Sequence, residues 1–103
     1  MTHYLIAEIY IQDRDWVRDY LAGVTPLVHR HGGEVLARSP TVERLEGEGA
    51  RPDVVAVIAF PSREAAVGFY TSDEYRPYRE ARREGSSGTM VLVAGEDVAL
   101  RRP

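Results

Sequence analysis

Residues 3–11 read His-Tyr-Leu-Ile-Ala-Glu-Ile-Tyr-Ile, a strand-length run rich in aromatic and β-branched residues. Alternation puts Tyr4, Ile6, Glu8 and Tyr10 on one face, and Leu5, Ala7, Ile9 and Ile11 on the other. The second face is wholly apolar and has to meet a layer of helices. The first is apolar except for Glu8 and two phenol groups, and a sheet with two such faces is rarely left open to water. A chain of 103 residues buries only a modest share of its surface, so it has too little material to cover both faces itself. This points to one helix layer on one side and a second copy of the chain on the other.

The rest of the chain fits that plan. Asp13 or Asp15 is a plausible N-cap for an amphipathic helix over residues 16–31, whose apolar positions Trp16, Val17, Tyr20, Leu21, Val24, Leu27 and Val28 recur at spacings of three and four. Pro26 predicts a kink or break near Val24-Thr25, and Gly32 after His31 predicts a left-handed helix end. Glu34–Arg38 and Thr41–Glu46 read as one strand bent or bulged at Ser39-Pro40. Gly47–Pro52 is a polar turn, and Asp53–Phe60 is an apolar run expected to form a central strand buried on both faces. A short helix over Arg63–Tyr70, capped by Ser62, leads to a second helical segment that a Thr71/Glu74 capping box would start and that runs to about Arg83. Gly85–Gly88 reads as a flexible turn and Thr89–Ala94 as the last strand. The order β-α-β-β-α-β is that of an α+β, ferredoxin-like domain with a four-stranded antiparallel sheet. It occupies residues 1–95, followed by a charged tail over 96–103 that is expected to fray.

Composition excludes several classes of function. Thirteen basic residues stand against 16 acidic ones, a net charge of −3, which argues against a general nucleic-acid binder and against an anionic membrane surface as partner. The chain has no cysteine, so thiol nucleophiles, disulfides and cysteine-based metal centres are ruled out. No apolar run approaches the roughly 20 residues of a membrane span. The start of the chain has no cationic flank of a signal peptide, and a cytoplasmic location is the expectation.

Several short motifs resemble the DUF1330 family of the dimeric α/β-barrel superfamily. They are Tyr4–Ile9, His31-Gly32-Gly33, Arg38, Leu45-Glu46-Gly47, Val57–Ser62 and Phe69–Tyr75. The likeness runs from about residue 3 to residue 94 in the family's order and spacing, with a departure at Glu48–Pro52, where family members often carry an aromatic residue. The resemblance implies a ferredoxin-like protomer whose sheet packs on its twin to close a barrel. It also implies kinship with cofactor-free monooxygenases, and it implies no particular activity.

Among residues with chemistry to offer, His31 at the helix end reads either as a side chain favouring the helix dipole or as a general base. Its place in the His-Gly-Gly motif brings the second level with the first through the resemblance. His29 and His31, two apart on a helix, point in different directions and make a poor metal pair, so no metal is expected. Arg38 and Glu46 form either a structural ion pair or a fork for a carboxylate or enolate. Glu8, set among apolar neighbours, requires a partner or a role in a site. Tyr20, Tyr70 and Tyr75 are core aromatics or hydroxyl donors to a small aromatic ligand. Arg76, Arg79, Arg82 and Arg83, beside Glu80 and Glu84, read as a solvated, ion-paired face. No phosphate loop, nucleophile elbow or nucleotide fingerprint is present.

These readings converge on a homodimer with a small-molecule site between sheet and helices. Its catalytic groups would be His31, Arg38 and Glu46, and Tyr20, Tyr70, Tyr75 and Glu8 would contact substrate. The expected chemistry is cofactor-independent oxygenation, proton transfer or rearrangement of a reactive aromatic or polyketide-like compound. The alternative is a non-catalytic dimeric binding or stress-related protein in which the same residues only hold the fold together.

Overall fold

In a computed structural model, described for residues 1–100, the chain runs β1 (His3–Ile11), α1 (Val17–Arg30), β2 (Glu34–Ser39), β3 (Val54–Phe60), α2 (Arg63–Thr71), α3 (Arg76–Gly85) and β4 (Ser86–Ala94). A single 3-10 turn, Val98–Leu100, follows. The last tail residues, 101–103, lie outside the described residues. The sheet order is β2-β3-β1-β4 with every neighbour antiparallel, the ferredoxin-like arrangement of a split β-α-β fold.

Strand alternation divides the sheet as the sequence predicts. Leu5, Ala7 and Ile9 are buried on the helix side of the sheet, where Leu5 packs with Val24, Leu27 and Val28 of α1, Ala66 and Phe69 of α2, Phe60 and Tyr75. The opposite face carries Tyr4, Ile6, Glu8 and Tyr10. The register sets Ile6 beside Val57 of β3 and Val91 of β4. Among the described residues no helix or strand covers this face, so Val91 and Val93 are exposed and β3 is only half-buried. β3 is central in the sheet, and its expected burial on both faces does not arise within one copy of the chain.

Local sequence explains where the elements begin and end, and where the expectations need correction. Neither Asp13 nor Asp15 caps α1. The Asp13 carboxylate instead accepts from the Asp15 backbone N–H at 2.8 Å, and the helix begins after Trp16. α1 runs unbroken through Pro26. Pro26 and Ala22 are both exposed, so the carbonyl that proline leaves without a partner is open to water. The helix ends as expected: Gly32 has φ +81°, its N–H donates to the His29 carbonyl, and the Gly33 N–H donates to the Val28 carbonyl. This pair of bonds is a Schellman motif.

Thr41–Glu46 is loop rather than strand. Pro40 has no N–H to continue a ladder, and the Thr41 N–H turns back to the Ser39 hydroxyl. The irregularity of β2 falls earlier, between Val35 and Ala37. Ser62 caps α2 by accepting from the Ala65 N–H at 3.0 Å. Thr71 does not start α3: its hydroxyl donates to the Val67 carbonyl within α2, and Ser72 receives the Tyr75 N–H. Glu74 forms an ion pair with Arg30 across to α1. Gly85–Gly88 is no flexible turn, because β4 starts at Ser86 and pairs with β1 from there onward.

Candidate functional site

Between the inner face of the sheet and the helices lies a cavity of about 350 Å³, a size typical of small-molecule pockets. Its floor is Leu5, Ala7, Ile9, Val54, Ala56 and Ile58, and its deep end is walled by Val28, Phe69 and Tyr75. Exposed residues Arg14, Leu21, Arg38, Pro40 and Asp53 ring its outer end. A smaller cavity of about 170 Å³ lies beside it, lined by Ala66, Val67, Tyr70 and Leu92. Leu5 and Met90 border both.

The polar groups at the deep end come from three helical positions. Tyr20 projects inward from α1, one turn after Trp16, whose ring it meets edge-on at 5.3 Å. Tyr75 is fully buried at the entry to α3, stacked on Phe69 at 4.4 Å. The two phenol oxygens are 2.6 Å apart. Arg82 completes the cluster from α3, with a relative exposure of 8%. Its guanidinium faces both phenols, which hold its charge in place although burial opposes it.

Burial, then the facing Tyr75 oxygen, pushes the Tyr20 phenol far above its ordinary value of 10.0, and Arg82 offsets this only in part. The folded chain therefore keeps a proton on Tyr20 at alkaline pH where the unfolded chain has released it. Stability from this group is intact below pH 10 and declines as pH rises beyond it. Tyr20→Phe is expected to flatten that alkaline decline, read as Tm against pH from about 8 to about 11.

Of the residues singled out in the sequence, the structure brings Tyr20, Tyr75 and Arg38 to the large cavity. Arg38 reaches it from β2 and donates to the Thr25 hydroxyl at 3.1 Å rather than to Glu46, which is exposed on the loop. His31 is half-buried at the end of α1, with its ring 6.0 Å from that of Phe69, and does not line the cavity. Tyr70 borders the smaller cavity, where the Arg79 guanidinium lies 5.3 Å over its ring. Glu8 is exposed on the opposite face of the sheet, between Val55 and Thr89. Among the described residues, no group of three or more His, Asp or Glu is placed to hold a metal ion.

Arg82 corrects the sequence reading. It belongs to no solvated face, unlike Arg76, which pairs with Asp73 at 2.9 Å. Helical spacing was the available signal. Positions 75, 78, 82 and 85 fall on one stripe of α3, and the tyrosines there mark it as the inward one. Trp16 and Asp53 also line the cavity without having been assigned to it.

The model of a family described as a domain of unknown function, DUF1330, matches residues 2–96. The chain belongs to the DUF1330 family. No curated protein matches it in sequence. Among solved structures, it is similar to the RPA0582 protein of unknown function from Rhodopseudomonas palustris, with a TM-score of 0.77, 16% identity and coverage of 93% of this chain and 83% of that one. It is also similar to SnoaB, a cofactor-independent oxygenase from Streptomyces nogalater, with a TM-score of 0.67, 12% identity and coverage of 97% and 98%. An antibiotic biosynthesis monooxygenase aligns with a TM-score of 0.60, 15% identity and coverage of 94% and 100%. At these identities the likeness establishes the ferredoxin-like fold of this DUF1330 chain. No helix among its described residues is long and apolar enough to cross a membrane.

Proposed function

We propose that this DUF1330 protein is a cytoplasmic homodimer that binds a small aromatic molecule in the large cavity of each protomer and promotes its oxygenation or rearrangement without a resident cofactor. The observation that carries this reading is the composition of the cavity. An apolar chamber of about 350 Å³ ends in two phenol hydroxyls and a guanidinium, so an apolar body fits in it and a developing negative charge meets donors at one end. An electron-rich aromatic ketone that gives up its acidic proton to solvent water becomes an enolate able to supply its own electrons to dioxygen. The protein's part would be to hold that enolate out of water beside Tyr20, Tyr75 and Arg82. The fold shared with a cofactor-independent oxygenase supports the reaction class.

The dimer is proposed on the uncovered apolar face of the sheet, whose Tyr4, Ile6, Val57, Val91 and Val93 side chains a second copy would cover. Glu8 would then be enclosed between the two sheets. His31 and Glu46, which do not line the cavity, carry no part of the proposed chemistry.

Anthrone, an enolisable tricyclic ketone, serves as the test compound, with Tm and dioxygen uptake both measured. Binding raises Tm and the protein speeds uptake. Tyr75→Phe lowers the rate by about tenfold or more while the rise in Tm persists. A rise in Tm without faster uptake would assign the chain to the non-catalytic binding class. No rise in Tm would remove the cavity as a site for such compounds.

A further inference from the structure

The deep end of the large cavity holds a charge and protons that the protein itself does not neutralise or accept. Arg82 is nine-tenths buried, and a guanidinium does not shed its proton to relieve that burial. The ion pairs Arg30–Glu74 and Arg76–Asp73 do not involve Arg82. Its Nε–H, fully shielded from solvent, has no hydrogen-bond partner. The phenols beside it bond to each other, which uses one of their two protons. The second has no acceptor among the described residues.

A buried cation with two idle donors beside it is costly unless an anion arrives. The remaining lining leans the same way. Arg38 enters from β2 and Arg14 stands at the outer end. Asp53 is the one acid among the lining residues, and its Oδ2 already accepts from the Ile11 N–H at 2.7 Å. The other walls are apolar.

We infer that the cavity takes an apolar monoanion, whose delocalised oxyanion, a carboxylate or an ionised enol or phenol, lies against the Arg82 guanidinium and the free hydroxyl of the Tyr20–Tyr75 pair. The apolar body of such a ligand lies along Ala7, Ile9 and Ala56 on the floor. A single guanidinium at the deep end matches a single negative charge, and its planar fork matches an oxyanion shared over two atoms. The inference rests on the cavity being a ligand site and specifies what that site selects.

The test is calorimetric titration of the full-length protein at pH 8 with three probes of similar size: 2-naphthoate, ionised 4-nitro-1-naphthol and the neutral 2-naphthalenemethanol. At least one anion is expected to bind about tenfold or more tighter than the alcohol, as charge-assisted bonds require. Whichever anion binds tighter tells a carboxylate ligand from an enolate or phenolate. Arg82→Met should erase the preference for the anion and keep the alcohol. Should that variant fail to fold, Arg82→Lys keeps the charge without the fork and should weaken the anion about tenfold while leaving the alcohol unchanged. Equal binding of anion and alcohol by wild type, or a preference that survives both substitutions, overturns the inference while the cavity stands as a site. Binding of none of the three overturns the reading of the cavity itself.

Discussion

Gly88→Ala should cost about 3 kcal/mol or more of folding stability, enough to remove most of the margin of a small domain. Gly88 lies in β4 at φ +137°, a backbone conformation that L side chains rarely adopt. A Cβ there would sit 1.9 Å from the Glu8 carbonyl oxygen of β1, with the Ile9 Cα at 3.3 Å. Both obstacles are backbone atoms inside a strand pair, so no rotamer change relieves them, and the β1–β4 ladder has to open locally. Urea unfolding followed by circular dichroism measures the loss. Gly68→Ala is the matched control. It sits in α2, where a new Cβ meets only the His31 ring nitrogen at 3.8 Å, and it should be neutral or stabilising by up to about 1 kcal/mol. Equal stability of the two variants would mean that β4 does not approach β1 at Gly88 as described.

Ile6→Lys should convert the proposed dimer into monomers. Ile6 lies on the uncovered face, in register with Val57 on one side and Val91 on the other. In a face-to-face dimer a lysine there would be desolvated among Val57, Val91 and the apolar face of the second copy, and the enclosed Glu8 two residues along would offset only part of a cost of several kcal/mol. That corresponds to a rise in Kd of about a thousandfold. Sedimentation velocity across a range of concentrations reads the change directly, and the Tm of wild type should rise with concentration as that of the variant does not. A wild-type chain that sediments as a monomer at high micromolar concentration would sink the dimer.

How much of this was legible in the sequence depends on the range of the interaction concerned. The strand at residues 3–11 and the amphipathic pattern of α1 are set by local periodicity, and both elements stand where the periodicity put them. The cost of Pro26 was overestimated, since an exposed helix face lets water take the freed carbonyl. Thr41–Glu46 has strand-like composition, yet the proline before it ends the only ladder it could join. The site was harder to read. Tyr20 and Tyr75 are separated by 55 residues and touch only because α1 and α3 pack side by side. Arg82 looked like its exposed neighbours because composition registers charge without direction. Only the stripe it shares with Tyr75 and Tyr78 distinguishes it. His31 lies in a recognisable motif because Gly32 and Gly33 build a helix end, so a structural need accounts for the glycines without any chemistry at the histidine.

The carbonyl of Gly85 is a joint in this molecule. It accepts from the Gln12 N–H at 3.0 Å, the Asp13 N–H at 3.1 Å and the Trp16 indole N–H at 3.2 Å. The last residue of α3 is thereby tied to the corner between β1 and α1, and a ring lining the cavity is pinned to the helix that carries Arg82. Trp16 is the chain's one tryptophan. The protein therefore carries its own optical gauge: its ultraviolet emission comes from an indole at the cavity wall, and filling the chamber registers there without any label.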